Sequence, residues 1–304
     1  MDAIFFDARV DDDTRRKQLY QGQLFVYSAG PSSLGLCDHA RSMIADAFAP
    51  LDPRTAQYDL PVEKYAAILA ELKPAFIHHP KSKQFIQGIL GELGCDPHKT
   101  YFDVPRMRSA THGDYLTTGI AYAFHPHRDT WYSAPFSQIN FWMPIYDIEP
   151  ANSMAFHLRY WSQPVRNGSR EYNYDEWNRT SRKTAAQHIK SDTRKQPKPE
   201  APVELDPQIR VIAQVGGLLV FSGAHLHSTV PNTSGYTRFS IDFRTVHLDD
   251  VQSRAGAPNI DSDCTGTTMR DYLRASDLSH LPEDLIALYD TPAPEAASGV
   301  GTGR

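Results

Sequence analysis

Apolar residues recur along this chain with two different periods, and the change from one to the other divides it. Over residues 62–77, Ala66, Ile68, Leu69, Leu72 and Phe76 keep close to helical spacing. Pro61 suits the N-terminal edge of that helix, and Pro74 predicts an early end to it. Residues 32–49 and 84–93 read as two more helices. The first has Ser32 or Ser33 as N-cap and Pro50 beyond its end, and the second stops near Gly94. Residues 24–27 read as a short strand, and the helices read as a layer packed on a sheet.

From Tyr101 the period becomes two. Residues 101–109, 121–132, 138–145, 155–160, 210–215, 218–227 and 237–246 read as strands with turn residues between them. The last alternates most clearly. Arg238, Ser240, Asp242 and Arg244 share one face and Phe239, Ile241 and Phe243 the other, which predicts a polar cavity on one side and core on the other. Many short strands at such spacing predict a sandwich or barrel. The expectation is an α+β domain with a mainly β core over residues 1–290. A helix-rich layer covers 1–100, the strands 101–250, and a helical segment 251–290, with a disordered tail at 291–304. Residues 161–207 interrupt the strands with a polar insertion, whose 179–198 stretch holds seven basic residues against one acid, Asp192. It reads either as a solvated surface insertion or as a lid that helps hold an anionic substrate.

Charge narrows the partners. Lys and Arg number 31 against 36 Asp and Glu, a net charge of −5, so the chain has no general basic face for nucleic acid. Cys37, Cys95 and Cys264 are too few and too scattered for a disulfide framework or a CxxC-type zinc site. No window is apolar enough for a membrane span, and the start lacks the pattern of a secretory leader, so the expected location is the cytoplasm. There is no G-x-S-x-G elbow or P-loop, and Gly299, Gly301 and Gly303 lie outside any strand-to-helix turn.

Thirteen histidines remain as the place to look for chemistry. In a strand, His127 and Asp129 project side by side and offer one imidazole nitrogen and one carboxylate oxygen to a single metal ion. His227 is the candidate third ligand, and two His with one carboxylate is the facial triad of non-haem iron sites. His125 and His225 are the alternatives to His127 and His227. Arg238 follows His227 across a Pro-, Asn-, Ser- and Gly-rich turn, and its planar fork matches a carboxylate. A structural ion pair is the competing reading for Arg238, with Arg244 as the reserve carboxylate binder. Gln138, Asn140 and Trp142 share one strand face and are candidates to line the cavity, the two amides by hydrogen-bonding a 2-oxo acid or the substrate. Trp131 and Tyr132 are candidate walls of the substrate pocket. Arg128, between the first two ligands, reads as structural.

The set His127-Arg128-Asp129, the strand 217–221, His227 and Arg238 resembles the Fe(II)/2-oxoglutarate-dependent dioxygenases, nearest the phytanoyl-CoA dioxygenase-like group. The resemblance spans about residues 101–246. It implies a double-stranded β-helix core of the jelly-roll, cupin-like kind. It also implies Fe(II) on His127, Asp129 and His227, with 2-oxoglutarate and O2 as co-substrates. Arg238 and Thr229 would hold the far carboxylate of 2-oxoglutarate. The implied reaction oxidises a small-molecule substrate, with release of succinate and CO2. Halogenating relatives replace the carboxylate ligand by a small residue, so Asp129 favours hydroxylation. The identity of the substrate does not carry over. Two other readings stay open: a cupin-like metalloenzyme that does not use 2-oxoglutarate, and a non-catalytic jelly-roll module that binds a sugar or a partner.

Overall fold

Alternation along the central strands sorts the molecule into layers. The computed structural model describes residues 3–121, 125–189 and 191–290. The strands are β1 (Ile4–Phe6), β2 (Leu24–Tyr27), β3 (Thr100–Phe102), β4 (Arg106–Ala110), β5 (Ile139–Pro144), β6 (Met154–Phe156), β7 (Ile209–Arg210), β8 (Leu218–Ser222), β9 (His227–Thr229), β10 (Arg238–His247) and β11 (Leu273–Arg274). The α-helices are α1 (Asp12–Leu19), α2 (Pro31–Phe48), α3 (Val62–His78), α4 (Pro80–Glu92), α5 (Tyr174–Thr180), α6 (Leu248–Ser253) and α7 (Glu283–Ala287).

A large sheet runs in the order β1-β2-β8-β5-β10-β3-β11, with β4 also paired to β10, and a small one runs β7-β6-β9. All pairs are antiparallel except β1 with β2. One face of the large sheet presents Phe25, Phe141, Val220, Ile241 and Phe243 to a core shared with Leu36, Ile44, Leu69 and Phe76 of α2 and α3. The other face presents Leu24, Val26, Trp142, Leu219 and Phe221 to Met154 and Phe156 of the small sheet. The molecule is thus a helical layer, a large sheet and a small sheet, and neighbouring residues of one strand serve opposite cores. Full burial of each such side chain contributes roughly 1.5–3 kcal/mol.

Several elements differ from the sequence reading. Gly30 caps α2, with Pro31 in its first turn, so neither Ser32 nor Ser33 is the N-cap. Pro74 does not end α3, which continues to His78. The carbonyl that its ring deprives of a helical partner belongs to Ala70, at a cavity wall. The expected strand 101–109 is two strands end to end on one edge of β10. It breaks where Pro105 has no N–H to give and the Asp103 side chain takes the N–H of Arg244 instead. The expected strand 121–132 keeps a single bridge, from His127 to His227, and passes into a 3-10 turn at Asp129–Tyr132; residues 122–124 lie outside the described residues. The stretch 218–227 divides at Gly223, while 155–160 and 210–215 shorten to β6 and β7. β1 and α1 come in addition, the latter capped by Asp11, whose carboxylate accepts from the Thr14 N–H. The tail at 291–304 lies outside the described residues. Among the described residues, no helix is long and apolar enough to cross a membrane.

Candidate metal centre

His127 and His227 meet through their backbones. Each N–H donates to the other's carbonyl at 3.0 Å, which brings together two segments far apart in the chain. Each imidazole is then aimed the same way. Nδ1 of His127 lies 2.8 Å from the His125 carbonyl, and Nδ1 of His227 lies 2.9 Å from the His225 carbonyl. A carbonyl can only accept, so the ring proton sits on Nδ1 and the Nε2 lone pair is left for an electrophile. Arg128 is still extended (φ −112°, ψ 143°), so Asp129 emerges on the side of His127 although its own residue begins the 3-10 turn. The Asp129 N–H is held by the Gly223 carbonyl at 2.9 Å. A Cβ at position 223 would stand 3.0 Å from Gln138 Nε2 and 3.4 Å from the Asp129 Cβ, so glycine permits this close approach. The ligand atoms of His127, Asp129 and His227 all lie within 4.8 Å of one another, and all three residues are buried.

The two oxygens of Asp129 have separate surroundings. Oδ2 accepts from Gln138 Nε2 at 2.8 Å and Asn140 Nδ2 at 2.7 Å, with Arg244 Nε 3.5 Å away. Oδ1 faces His127 Nε2 at 3.6 Å. Tyr272 donates its hydroxyl to Gln138 Oε1 at 2.8 Å, which fixes the amide with its nitrogen toward Asp129. Burial alone would raise the Asp129 pKa. Arg244, His127 and His227 outweigh it and hold the carboxyl well below the usual carboxylate range. Burial, reinforced by His127, pushes His227 down to about 3. An ionised carboxylate and a neutral imidazole are the forms that bind metal, and the three residues fit a metal ion.

Arg238 stands on the same cavity with a different set of neighbours. It is buried, and its Nη1 donates to the carbonyls of Asn152 (3.2 Å) and Ser153 (3.4 Å). Its Nε is buried without a hydrogen-bond partner among the described residues. The guanidinium lies 5.6 Å over the Trp142 ring. Burial lowers its pKa to about 10, so it is still a cation near neutrality. A buried cation that, among the described residues, donates only to neutral carbonyls is an incomplete site for an anion. Thr229 lies two residues beyond His227 on β9, so the pair shares a face, and it too borders the cavity. The cavity encloses about 1030 Å³ and is also bordered by Tyr132, Gln138, Asn140 and Trp142.

Some assignments change. Trp131 turns away from the cavity, donates Nε1 to Asp261 Oδ1 at 2.7 Å and packs with Val165 and Leu226. A 3-10 turn has about three residues per turn, so Tyr132 returns to the side of Asp129 while Trp131 does not. The amides of Gln138 and Asn140 are engaged with Asp129. His125 contacts the Pro197 carbonyl through Nε2 at 2.6 Å, and His225 packs on Trp161 with ring centroids 4.5 Å apart. Arg128 is structural as expected, bonded to Asp261 and to the carbonyls of Ala224 and Tyr160. Arg244 is tied to Asp103 and lies beside Asp129. The insertion supplies Tyr172, Tyr174, Trp177, Arg194 and Gln196 to the cavity wall. Nothing local in the sequence marks Tyr272 or Asp103, which reach the site only through the fold.

No family model and no curated protein matches the sequence. Among solved structures, the chain is similar to EvdO2 from Micromonospora carbonacea var. aurantiaca at 12% identity, over 79% of this chain and 92% of that one, with a TM-score of 0.44. It is similar to the epimerase SnoN in complex with Fe3+, alpha ketoglutarate and nogalamycin RO at 12% identity, over 78% and 85%, with a TM-score of 0.40. For AviO1 from Streptomyces viridochromogenes Tue57 the identity is 12%, over 83% and 99%, with a TM-score of 0.38. These likenesses concern the course of the chain, and the chemistry of the site rests on its own residues.

Proposed function

We propose that the chain is a non-haem Fe(II)- and 2-oxoglutarate-dependent oxygenase of the phytanoyl-CoA dioxygenase-like kind. It would hydroxylate a C–H bond of a small molecule and release succinate and CO2. The observation that carries this is the placement of His127, Asp129 and His227 on one cavity with Arg238, a buried cation whose Nε has no hydrogen-bond partner among the described residues. Two largely antiparallel sheets facing each other across the site are in keeping with a double-stranded β-helix within one domain over residues 1–290. Bound iron would supply the redox chemistry that couples dioxygen and 2-oxoglutarate to oxidation of the substrate.

The residues of the chain position and protect. His127 and His227 would hold the ion through Nε2, each oriented by the carbonyl two residues before it. Asp129 would offer Oδ1, because Oδ2 is already engaged. Arg238, with the Thr229 hydroxyl, would hold the far carboxylate of 2-oxoglutarate. Tyr132 and Trp142 wall the cavity and limit water.

The test is anaerobic addition of Fe(II) and 2-oxoglutarate to metal-free protein. A weak visible charge-transfer band is expected, followed on admission of O2 by succinate. Tight metal binding with no effect of 2-oxoglutarate would favour a metalloenzyme of another kind. Neither band nor metal binding would favour a non-catalytic module.

A further inference from the structure

The cavity holds a second buried cation, to which the metal and its co-substrate give no role. α3 turns two faces inward. Tyr65, Leu69, Leu72 and Phe76 enter the core, while Ala70, Lys73, Pro74, Ile77 and His78, at helical spacing, border the cavity. Lys73 is only 9% exposed. Its ammonium donates to the Ile120 carbonyl and, among the described residues, reaches no carboxylate.

The nearby acids are already engaged. Asp242 acts on Lys73 electrostatically, but its oxygens are bound by Arg108 at 2.5 and 3.2 Å. Asp103 is held by Arg106 and Arg244. An ammonium has three donors, and Lys73 has one of them on a neutral carbonyl. Charge points the same way. Among the described residues, the cavity is bordered by six Lys and Arg side chains against four Asp, a surplus of two positive charges. A divalent metal and the dianionic 2-oxoglutarate cancel and leave that surplus in place. Arg194 is closed at 2.8 and 2.5 Å onto Asp192, which lies outside that count, and this reduces the surplus to one positive charge.

We infer that Lys73, with Arg108 acting beside it, anchors an anionic group of the substrate, a carboxylate or a phosphate, and so fixes how the substrate lies in the cavity. A compact ammonium with rotatable donors suits either group. The inference rests on the metal and co-substrate reading for the rest of the cavity. Burial and then Arg108 push Lys73 down to about 7, and a bound anion would restore its charge.

The experiment uses the full chain loaded anaerobically with Fe(II) and 2-oxoglutarate, with the visible band as the check on loading. Inorganic phosphate is titrated in one arm and benzoate in another, by calorimetry. A saturable second site is expected for at least one, and the arm that binds identifies the group. Lys73→Met should weaken it at least about tenfold, as loss of a charged hydrogen bond does, and Lys73→Arg should retain it. The band should be unchanged in both variants, and Lys73→Gln replaces Lys73→Met should the latter fail to fold. A band with neither anion bound, or equal anion binding in Lys73→Met, overturns the inference and leaves the oxygenase reading standing. If no band forms, that reading has failed. The same Lys73 comparison on metal-free protein with 2-oxoglutarate then still decides the anchor.

Discussion

Asp129 meets three donors at one oxygen, from Gln138, Asn140 and Arg244, whereas Arg238 donates, among the described residues, to the carbonyls of Asn152 and Ser153 and lies over the Trp142 ring. Both are buried charges on one cavity. On the proposed function the difference follows from what each would hold. A carboxylate that binds a metal through one oxygen is most rigid when the other is fully occupied. A cation that is to receive a mobile ligand must keep donors unengaged.

The largest test of this contrast is Asp129→Ala. Metal affinity, read by calorimetry with Fe(II) under anaerobic conditions, should fall by more than the roughly hundredfold that loss of an outer partner costs. Unchanged affinity would remove Asp129 from the metal site. Next is Arg238→Gln, which should weaken 2-oxoglutarate at least about thirtyfold and leave metal affinity as it was, because a buried charge pair would lose one member. A change in metal affinity instead would mean that the two ends of the cavity are not separate.

Gln138→Leu removes one donor from Asp129 and strands the Tyr272 hydroxyl. Metal affinity should fall about 10–100-fold with little change in 2-oxoglutarate binding. Equal loss of both would contradict the division of labour. The last test is acid. Burial, then His227, pushes His225 down to about 3 from its usual 6.5, so the fold favours the neutral ring. That contribution is complete above pH 6.5 and is lost as the pH falls. Metal-free protein should therefore lose about 2 kcal/mol between pH 6.5 and 5 from this group. Asp129 has its pKa lowered from 3.8, so its contribution is complete above that value and stays constant in this window. Urea midpoints at the two pH values check it, and His225→Leu should shrink the difference by about that amount, with His227 and His125, also pushed down by burial, leaving the remainder.

Periodicity made much of this legible. The alternation in β10 gave both of its faces, and the pair His127 and Asp129 needed only their spacing. Choosing His127 over His125, or His227 over His225, takes more. Each rejected histidine is the residue whose carbonyl orients the chosen one, a relation that appears only once the backbone is placed. Nearness in sequence to His127 and Asp129 makes Trp131 as much a candidate wall as a packing residue, and the 3-10 turn sends it into packing with Val165 and Leu226. The link from Gln138 to Asp129 was hidden because the two meet across a bend in the chain, and Tyr272 arrives from the C-terminal segment. α3 read as packing alone, since an apolar stripe says nothing of the face next to it, where Lys73 lies.

The backbone ladder between His127 and His227 ties both ends of the long intervening stretch to each other. The spacing of the two imidazoles is set by that ladder and not by the length of chain between them. Closing a longer loop adds only slowly to the entropic penalty. On the proposed reading, the parts of 161–207 that do not pack on His125, Trp131 or His225 can therefore be lengthened, trimmed or rewritten in the course of evolution, remaking the substrate's side of the cavity while the metal's side keeps its shape.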